Sequence, residues 1–329
     1  MEPQKEPNPN YLPYPPQPQS TDDEIDLREL FKALWKGKWI IIATTFLFAV
    51  GSVLYALSLP NIYKADTLLA PAENSNSGSL SKMAGQLGGL AALAGVNLGG
   101  VETSQTELAV QVMQSRQFIS NFINKHNLLV PLMASQDWDL RENKLILNSD
   151  VYNANEDTWL RKANGLRGHK PSDQEAFEVF IQKVFSVDLD KESGLYTVAV
   201  KYYSPYIAQE WVNWLVEDIN QVMRERAIAE ASQNLTYLNA QLQKTSIADM
   251  QSTFYKLIEE QTKTLMLAEV QEEFIFKVVD PAVVPEIKDS PRRGLICFIG
   301  TLFGGLLGVA FTLIGVFIRS KKYQHAEVG

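Results

Sequence analysis

The sequence predicts an α+β membrane protein, in which two transmembrane helices flank a base domain carrying a long, coiled-coil-like helix or a helical hairpin. Three observations carry this expectation. Two long apolar runs hold no charge, strand-like alternation lies just inside each of them, and 75 consecutive residues contain neither proline nor glycine.

The first run is Trp39 to Leu59, 21 residues. At ~1.5 Å rise per residue it spans ~30 Å, the thickness of a bilayer core. Trp35, Trp39 and Tyr55 flank it as interfacial aromatics do. A cleaved signal peptide would have an apolar core of only ~7–15 residues near the start. Here 38 residues precede the run, so it is expected to remain as an anchor. The second run, Leu295 to Ile318, has 24 residues without charge. Arg28, Lys32, Lys36 and Lys38 crowd the near side of the first run, and only Lys64 lies close on the other. Positive flanks stay cytoplasmic, which puts both termini inside and residues 60–291 outside. Arg319, Lys321 and Lys322 follow the second run on the expected side, whereas Arg292 and Arg293 oppose it.

The expected division is therefore 1–38, a cytoplasmic tail and short amphipathic helix; 39–59, the first span; 60–291, the external domain; 292–318, the second span; and 319–329, a cytoplasmic tail. Seven prolines between residues 3 and 19 make that stretch a disordered or polyproline tail. Ile25, Leu27, Leu30, Phe31 and Leu34 then recur at helical spacing, as in a helix lying on the membrane face.

Within the domain, Tyr63 to Leu69 alternates as a strand does. Residues 73–104, rich in Gly, Ser, Asn and Ala, read as a loop. Leu108, Val112, Phe118, Phe122 and Ile123 suggest a helix over 106–128, and the segment from there to Pro171 reads as irregular. Ser172 caps a helix to Val184, with Glu175 at the capping-box position. Phe185, Val187 and Leu189 form a hairpin with Tyr196, Val198 and Val200 across a turn at Asp190–Gly194. Ser204-Pro205 starts the next helix, a capping serine with proline at the first helical position. Helix formers continue to about residue 271. If unbroken from 205 to 271 they make a rod of ~100 Å; a break near Thr245–Asp249 would make two helices. Phe274, Phe276 and Val278 then alternate as a strand expected beside 62–70. Pro281, Pro285 and Pro291 stiffen an extended leash into the second span.

That span carries Gly300, Gly304, Gly305 and Gly308. Glycine at every fourth position opens a flat face on which another helix can pack, whether the first span, another copy or a different protein.

Composition narrows the function. Net charge is −8, and residues 60–291 hold 30 Asp and Glu against 20 Lys and Arg, which disfavours nucleic acid. The one cysteine, Cys297, lies in the second span, so no disulfide or thiolate metal site is expected in the domain. No HExxH, CxxC, GxSxG or GxxxxGK[ST] pattern occurs. The residues thus suggest no catalysis, cofactor or metal. Tyr202, Tyr203, Tyr206, Trp211 and Trp214 could stack on sugar rings, though core packing is the commoner use of such residues.

Taken in order, DEIDLRELFKALWKGKW, GGLAALAG, YYSPYIAQEWVNWLVEDIN, LIEEQTKTLMLAE and FKVVDPAVVPEIKDSPRRGLI resemble the Wzz-type polysaccharide co-polymerases, the chain-length determinants of surface polysaccharide. The resemblance runs from Asp22 to Arg319. It implies a non-enzymatic, ring-shaped homo-oligomer in the bacterial inner membrane, with long helices standing in the periplasm on an α/β base. It further implies partnership with the membrane polymerase, with the lipid-linked glycan as a further partner, and control of modal chain length, O-antigen first. A related branch carries a cytoplasmic kinase, and this chain has no Walker sequence. The alternative is a periplasmic adaptor of an envelope export system.

Overall fold

A computed structural model describes residues 34–72, 105–245 and 248–326. The proline-rich tail, most of the amphipathic segment before Leu34 and the small-residue loop at 73–104 lie outside the described residues.

Two units are distinct. The first contains helix α1, Lys38–Ser58, and the apolar helix that ends the chain, α8, Arg293–Ala326. Mean hydropathy reaches 2.2 over an 18-residue window of Lys38–Ser58 and 2.1 over one of Arg293–Gly315, and both segments are long enough to cross a bilayer. Most of their apolar side chains, such as Phe46, Leu47, Phe303 and Leu306, are exposed, which fits a surface meant for lipid.

The second unit, Ser58–Arg292, is built on one antiparallel sheet. Its strands are β1 (Tyr63–Pro71), β6 (Phe185–Leu189), β7 (Tyr196–Tyr202) and β8 (Phe276–Asp280), in the order β6-β7-β1-β8. Along β1, Ala65, Thr67 and Leu69 are buried while Asp66 is exposed, the period of two expected from the sequence. The β6–β7 hairpin has the expected register: Phe185 faces Val200, Val187 faces Val198 and Leu189 faces Tyr196. Its turn is held by Asp190, whose carboxylate accepts from the Glu192 N–H at 2.9 Å and from Ser193 Oγ at 2.7 Å. The Ser193 hydroxyl above all, and then the Glu192 N–H, keep that carboxyl below the usual aspartate range. Gly194 closes the turn at φ +71°, where a side chain would be strained. As expected, β8 lies beside β1, with Leu69 opposite Val278 and Pro71 opposite Phe276.

Helices pack on this sheet. Ser115 divides the helix expected over 106–128 into α2 (Gln105–Met113) and α3 (Arg116–Lys125), because its Oγ accepts the Phe118 N–H and caps a fresh start. Asn127, at φ 54°, stops α3. The segment read as irregular is ordered: α4 (Leu129–Ala134), a hairpin of β2 (Ser135–Asp139) with β3 (Lys144–Leu147), and a minimal pair β4 (Tyr152–Asn153) with β5 (Thr158–Trp159). Its strands are too short for periodicity to register, and the turns rely on Asn143 and Asp157 at positive φ. Helix α5 (Asp173–Val179) starts at Ser172, whose Oγ accepts the Glu175 N–H, and relaxes into one π turn over Phe180–Val184. Glu175 does not complete a capping box. Its carboxylate turns to Arg161 at 2.6 Å and to Arg167 at 3.5 Å.

The long helical stretch is two helices, α6 (Pro205–Lys244) and α7 (Ala248–Val270), packed as a hairpin. Ser204 caps α6 as expected and Pro205 takes its first position. On its inner face Trp211, Leu215 and Ile219, spaced by four, are buried against Leu69, Val198 and Val200 of the sheet and Phe122 and Phe180. Each such apolar side chain contributes about 1.5–3 kcal/mol on burial. Along α6 the main core ends at Ile228, and further out the helix buries Ala231 and Leu238. Beyond that point α6 packs along α7.

Candidate functional site: paired apolar helices and a helical hairpin

In the first unit the glycine face of α8 meets α1. A Cβ on Gly300 would lie 2.5 Å from Ser52 Cβ, and one on Gly304 would lie 2.5 Å from Phe48 Cβ and 3.2 Å from Thr45 Cα. On Gly308 it would strike Thr44 Oγ1 and lie 2.9 Å from Ile41 Cα. Those distances leave no room for any side chain at the three positions. Gly305 is different, because its Cβ would meet Thr45 Oγ1 at an ordinary 3.7 Å. The α1 residues in contact, Ile41, Thr44, Thr45, Phe48 and Ser52, form one stripe at helical spacing. Their hydroxyls bond back to their own helix, Thr45 to Ile41 O at 2.7 Å and Ser52 to Ala49 O at 2.8 Å, so the seam buries no unpaired hydroxyl at those positions. One further contact escaped the glycine pattern. Gly37, before α1, leaves space that Thr312 fills, and Thr312 is itself buried with its hydroxyl on Gly308 O. The signal was there as a lone glycine between Lys36 and Lys38, but its partner lies 275 positions away.

In the second unit the hairpin is closed at its root by one side chain. Asn220 is 4% exposed. Its Oδ1 accepts the N–H groups of Ile275 at 2.8 Å and Phe276 at 3.0 Å, and its Nδ2 donates to Phe276 O at 3.1 Å. The chain leaving α7 is thereby clamped to α6 as it becomes β8. Further out, Asn234 Nδ2 donates to Gln261 Oε1 at 3.2 Å across the two helices. The outer surface keeps large apolar groups in solvent: Tyr237 on α6, and Met250, Tyr255, Met266 and Val270 on α7. Isolated apolar residues on a surface are ordinary, but Tyr255, Met266 and Val270 share one face over four turns.

The leash is tied down on both sides. Gln209 Nε2 donates to Ala282 O, just after Pro281. Before Pro291, Lys201 pairs with Asp289 at 2.9 Å, and Ile62 and Ser290 exchange backbone bonds. Pro285 lies between these ties.

Of the aromatic residues singled out, Tyr202 and Trp211 are core. The Tyr202 hydroxyl donates to Pro131 O at 2.6 Å, and burial pushes its pKa far above the usual tyrosine value. Burial, then the Asp137 carboxylate, raises Tyr203. Trp214 stacks on His126, ring centroids 4.2 Å apart. Tyr206 is exposed. The sequence did not reveal the network around His126. Its Nε2 lies 3.0 Å from Asp218 Oδ2, and Lys125 Nζ donates to Asp218 Oδ1 at 2.6 Å, joining α3 to α6 across 93 positions. His169 lies apart from it, bonded to the Arg161 carbonyl. Among the described residues no group of three or more His, Cys, Asp or Glu is placed to hold a metal ion.

These features define a class: a membrane protein with two apolar spanning helices, an antiparallel α+β domain and a long helical hairpin. Residues 23–126 match the family model described as Wzz, chain length determinant protein. Among the solved structures that are similar, two are polysaccharide co-polymerases. One is a full-length bacterial polysaccharide co-polymerase, 14% identical, covering 90% of this chain and 99% of its own, with a TM-score of 0.37. The other is a fragment of WzzB, a polysaccharide co-polymerase from Salmonella Typhimurium, 13% identical, covering 70% of this chain and 99% of its own, with a TM-score of 0.26. No curated protein matches.

Proposed function

We propose that this protein is a non-enzymatic scaffold that sets the modal chain length of a bacterial surface polysaccharide, the O-antigen of lipopolysaccharide first, by acting with the membrane polymerase. The match of residues 23–126 to the chain length determinant family carries this reading. Several copies assemble as a ring in the inner membrane. Residues 39–59 and 292–318 are the spans, residues 60–291 stand in the periplasm, and residues 1–38 and 319–329 are cytoplasmic. The lysine and arginine crowding before the first span supports that orientation.

Each part has a task in this arrangement. Gly300, Gly304, Gly305 and Gly308 form the packing face within the membrane, and the leash marked by Pro281, Pro285 and Pro291 holds the domain to the second span. The apolar face of α7, with Tyr255, Met266 and Val270, suits contact with a neighbouring copy, since a pair of helices has too little interior to bury it.

A gel ladder of surface polysaccharide from cells with the gene deleted and then restored tests the reading. The modal cluster of bands is expected to vanish and return. An unchanged ladder with failed export of another substrate would refute it and favour an export adaptor. Replacing Gly304 and Gly308 with leucine is expected to shorten or broaden the length distribution; unchanged lengths at normal protein levels would refute the role of that face.

A further inference from the structure

A groove of 290 Å³ runs between α3 and α6, beside the Lys125–Asp218 contact. Its floor is apolar, made by Phe118, Phe122, Val112 and Val222. Its wall is an ordered chain of polar groups. Asp218, 6% exposed, accepts from Lys125 Nζ at 2.6 Å; the same ammonium donates to Gln221 Oε1 at 3.3 Å; and Gln221 Nε2 donates to Glu225 Oε1 at 2.8 Å. The rim adds Gln117, Asn121 and Arg226, which are exposed and make no side-chain bond among the described residues.

We propose that this groove binds one or two pyranose units of the glycan whose length the protein controls, an inference that rests on the function proposed above. The chemistry selects the ligand. Two cations, Lys125 and Arg226, balance two carboxylates, Asp218 and Glu225, so the groove has no net charge to attract a phosphate or a polyanion. Three carboxamides offer donors and acceptors side by side, which suits hydroxyls because each both donates and accepts. The apolar floor suits the C–H face of a sugar ring. A purely apolar ligand would strip water from the polar wall without replacing its bonds. The volume sits at the lower end of the ~300–1,000 Å³ of small-molecule pockets, which matches a short stretch of glycan. The wall is already hydrogen-bonded in place, so little side-chain ordering is left for binding to supply.

Full-length protein in lipid nanodiscs is titrated with glycan released by mild acid from the surface polysaccharide of the same cells. Binding is read by calorimetry and by tryptophan fluorescence, with Trp214 close to Lys125 through its stack on His126. Saturable binding is expected, at least tenfold weaker in both Asn121→Ala and Arg226→Ala, whose exposed side chains leave the circular dichroism unchanged. Absence of saturable binding, or equal binding by both variants, overturns the proposal. So does a disulfide between two copies formed by Asn121→Cys, which would mean that a neighbouring chain fills the groove. The function reading fails separately. A ladder unchanged by gene deletion, with groove binding intact, removes the length role and leaves the sugar site. Loss of the modal cluster without groove binding does the reverse.

Discussion

Replacing Asn220 with alanine deprives three backbone groups of their partner at the root of the hairpin. The N–H groups of Ile275 and Phe276 lose an acceptor at 2.8 and 3.0 Å, and Phe276 O loses a donor at 3.1 Å. The site is nearly closed to solvent, since Ile275 and Phe276 are 1% and 0% exposed, so water cannot replace the amide without rearrangement. An orphaned buried group costs about 1–3 kcal/mol, and two orphaned N–H groups with partial relaxation amount to roughly 3 kcal/mol. For a domain of this size 1 kcal/mol moves the unfolding midpoint by about 2–4 °C, so the expected fall is about 6–12 °C. The assay is thermal unfolding of the full-length protein in detergent, followed by circular dichroism, with hydrogen exchange at Ile275 and Phe276. Asn239→Ala is the control. Asn239 lies on the same helix, is exposed and bonds only its own Leu235 carbonyl, so its loss should stay within about 0.5 kcal/mol. If Asn220→Ala falls by less than about 2 °C and the exchange of both amides is unchanged, the clamp is not what holds β8 to α6.

Three further outcomes follow from the same contacts. Tyr202 has its pKa raised by burial above the unfolded value of about 10, so its stabilising contribution is complete below pH 10 and is lost as pH rises beyond it. Denaturant titrations from pH 9 to 12 should show wild type losing up to ~1.4 kcal/mol per pH unit more than Tyr202→Phe; parallel curves would contradict this. Gly194→Ala meets no atom within 4 Å, so its cost is that of the left-handed backbone alone, about 1–2 kcal/mol, measurable as a lower urea midpoint. Tyr255→Glu with Met266→Lys should lower the oligomeric mass by light scattering while leaving the circular dichroism intact; an unchanged mass would place the contact between copies elsewhere.

Much of the fold was legible because it is written in short-range physics. The two spans declare themselves by apolar runs of bilayer length, and β6 and β7 by alternation around a tight turn. Ser172 and Ser204 start helices where a hydroxyl can accept an N–H three residues on. Glu175 shows the limit of that logic. The spacing suits a capping box, yet two arginines held by the loop before it offer a charged partner, and the carboxylate goes there. The strands between Ser135 and Trp159 were missed for another reason: pieces of two to five residues carry too few positions to reveal a period.

By itself, then, the sequence determined the two spans, the helical stretch after Ser204, the β6–β7 register and the absence of charge on the glycine face, since each depends on residues within a turn or two of one another. Tertiary structure decided which partners meet. It placed β1 between β7 and β8, packed α6 against α7, set Ile41, Thr44 and Phe48 on the α8 glycines, and brought Lys125 and His126 to Asp218. Such pairs are separated by tens to hundreds of positions, and they form because burying their surfaces together outweighs the entropy of closing the chain between them.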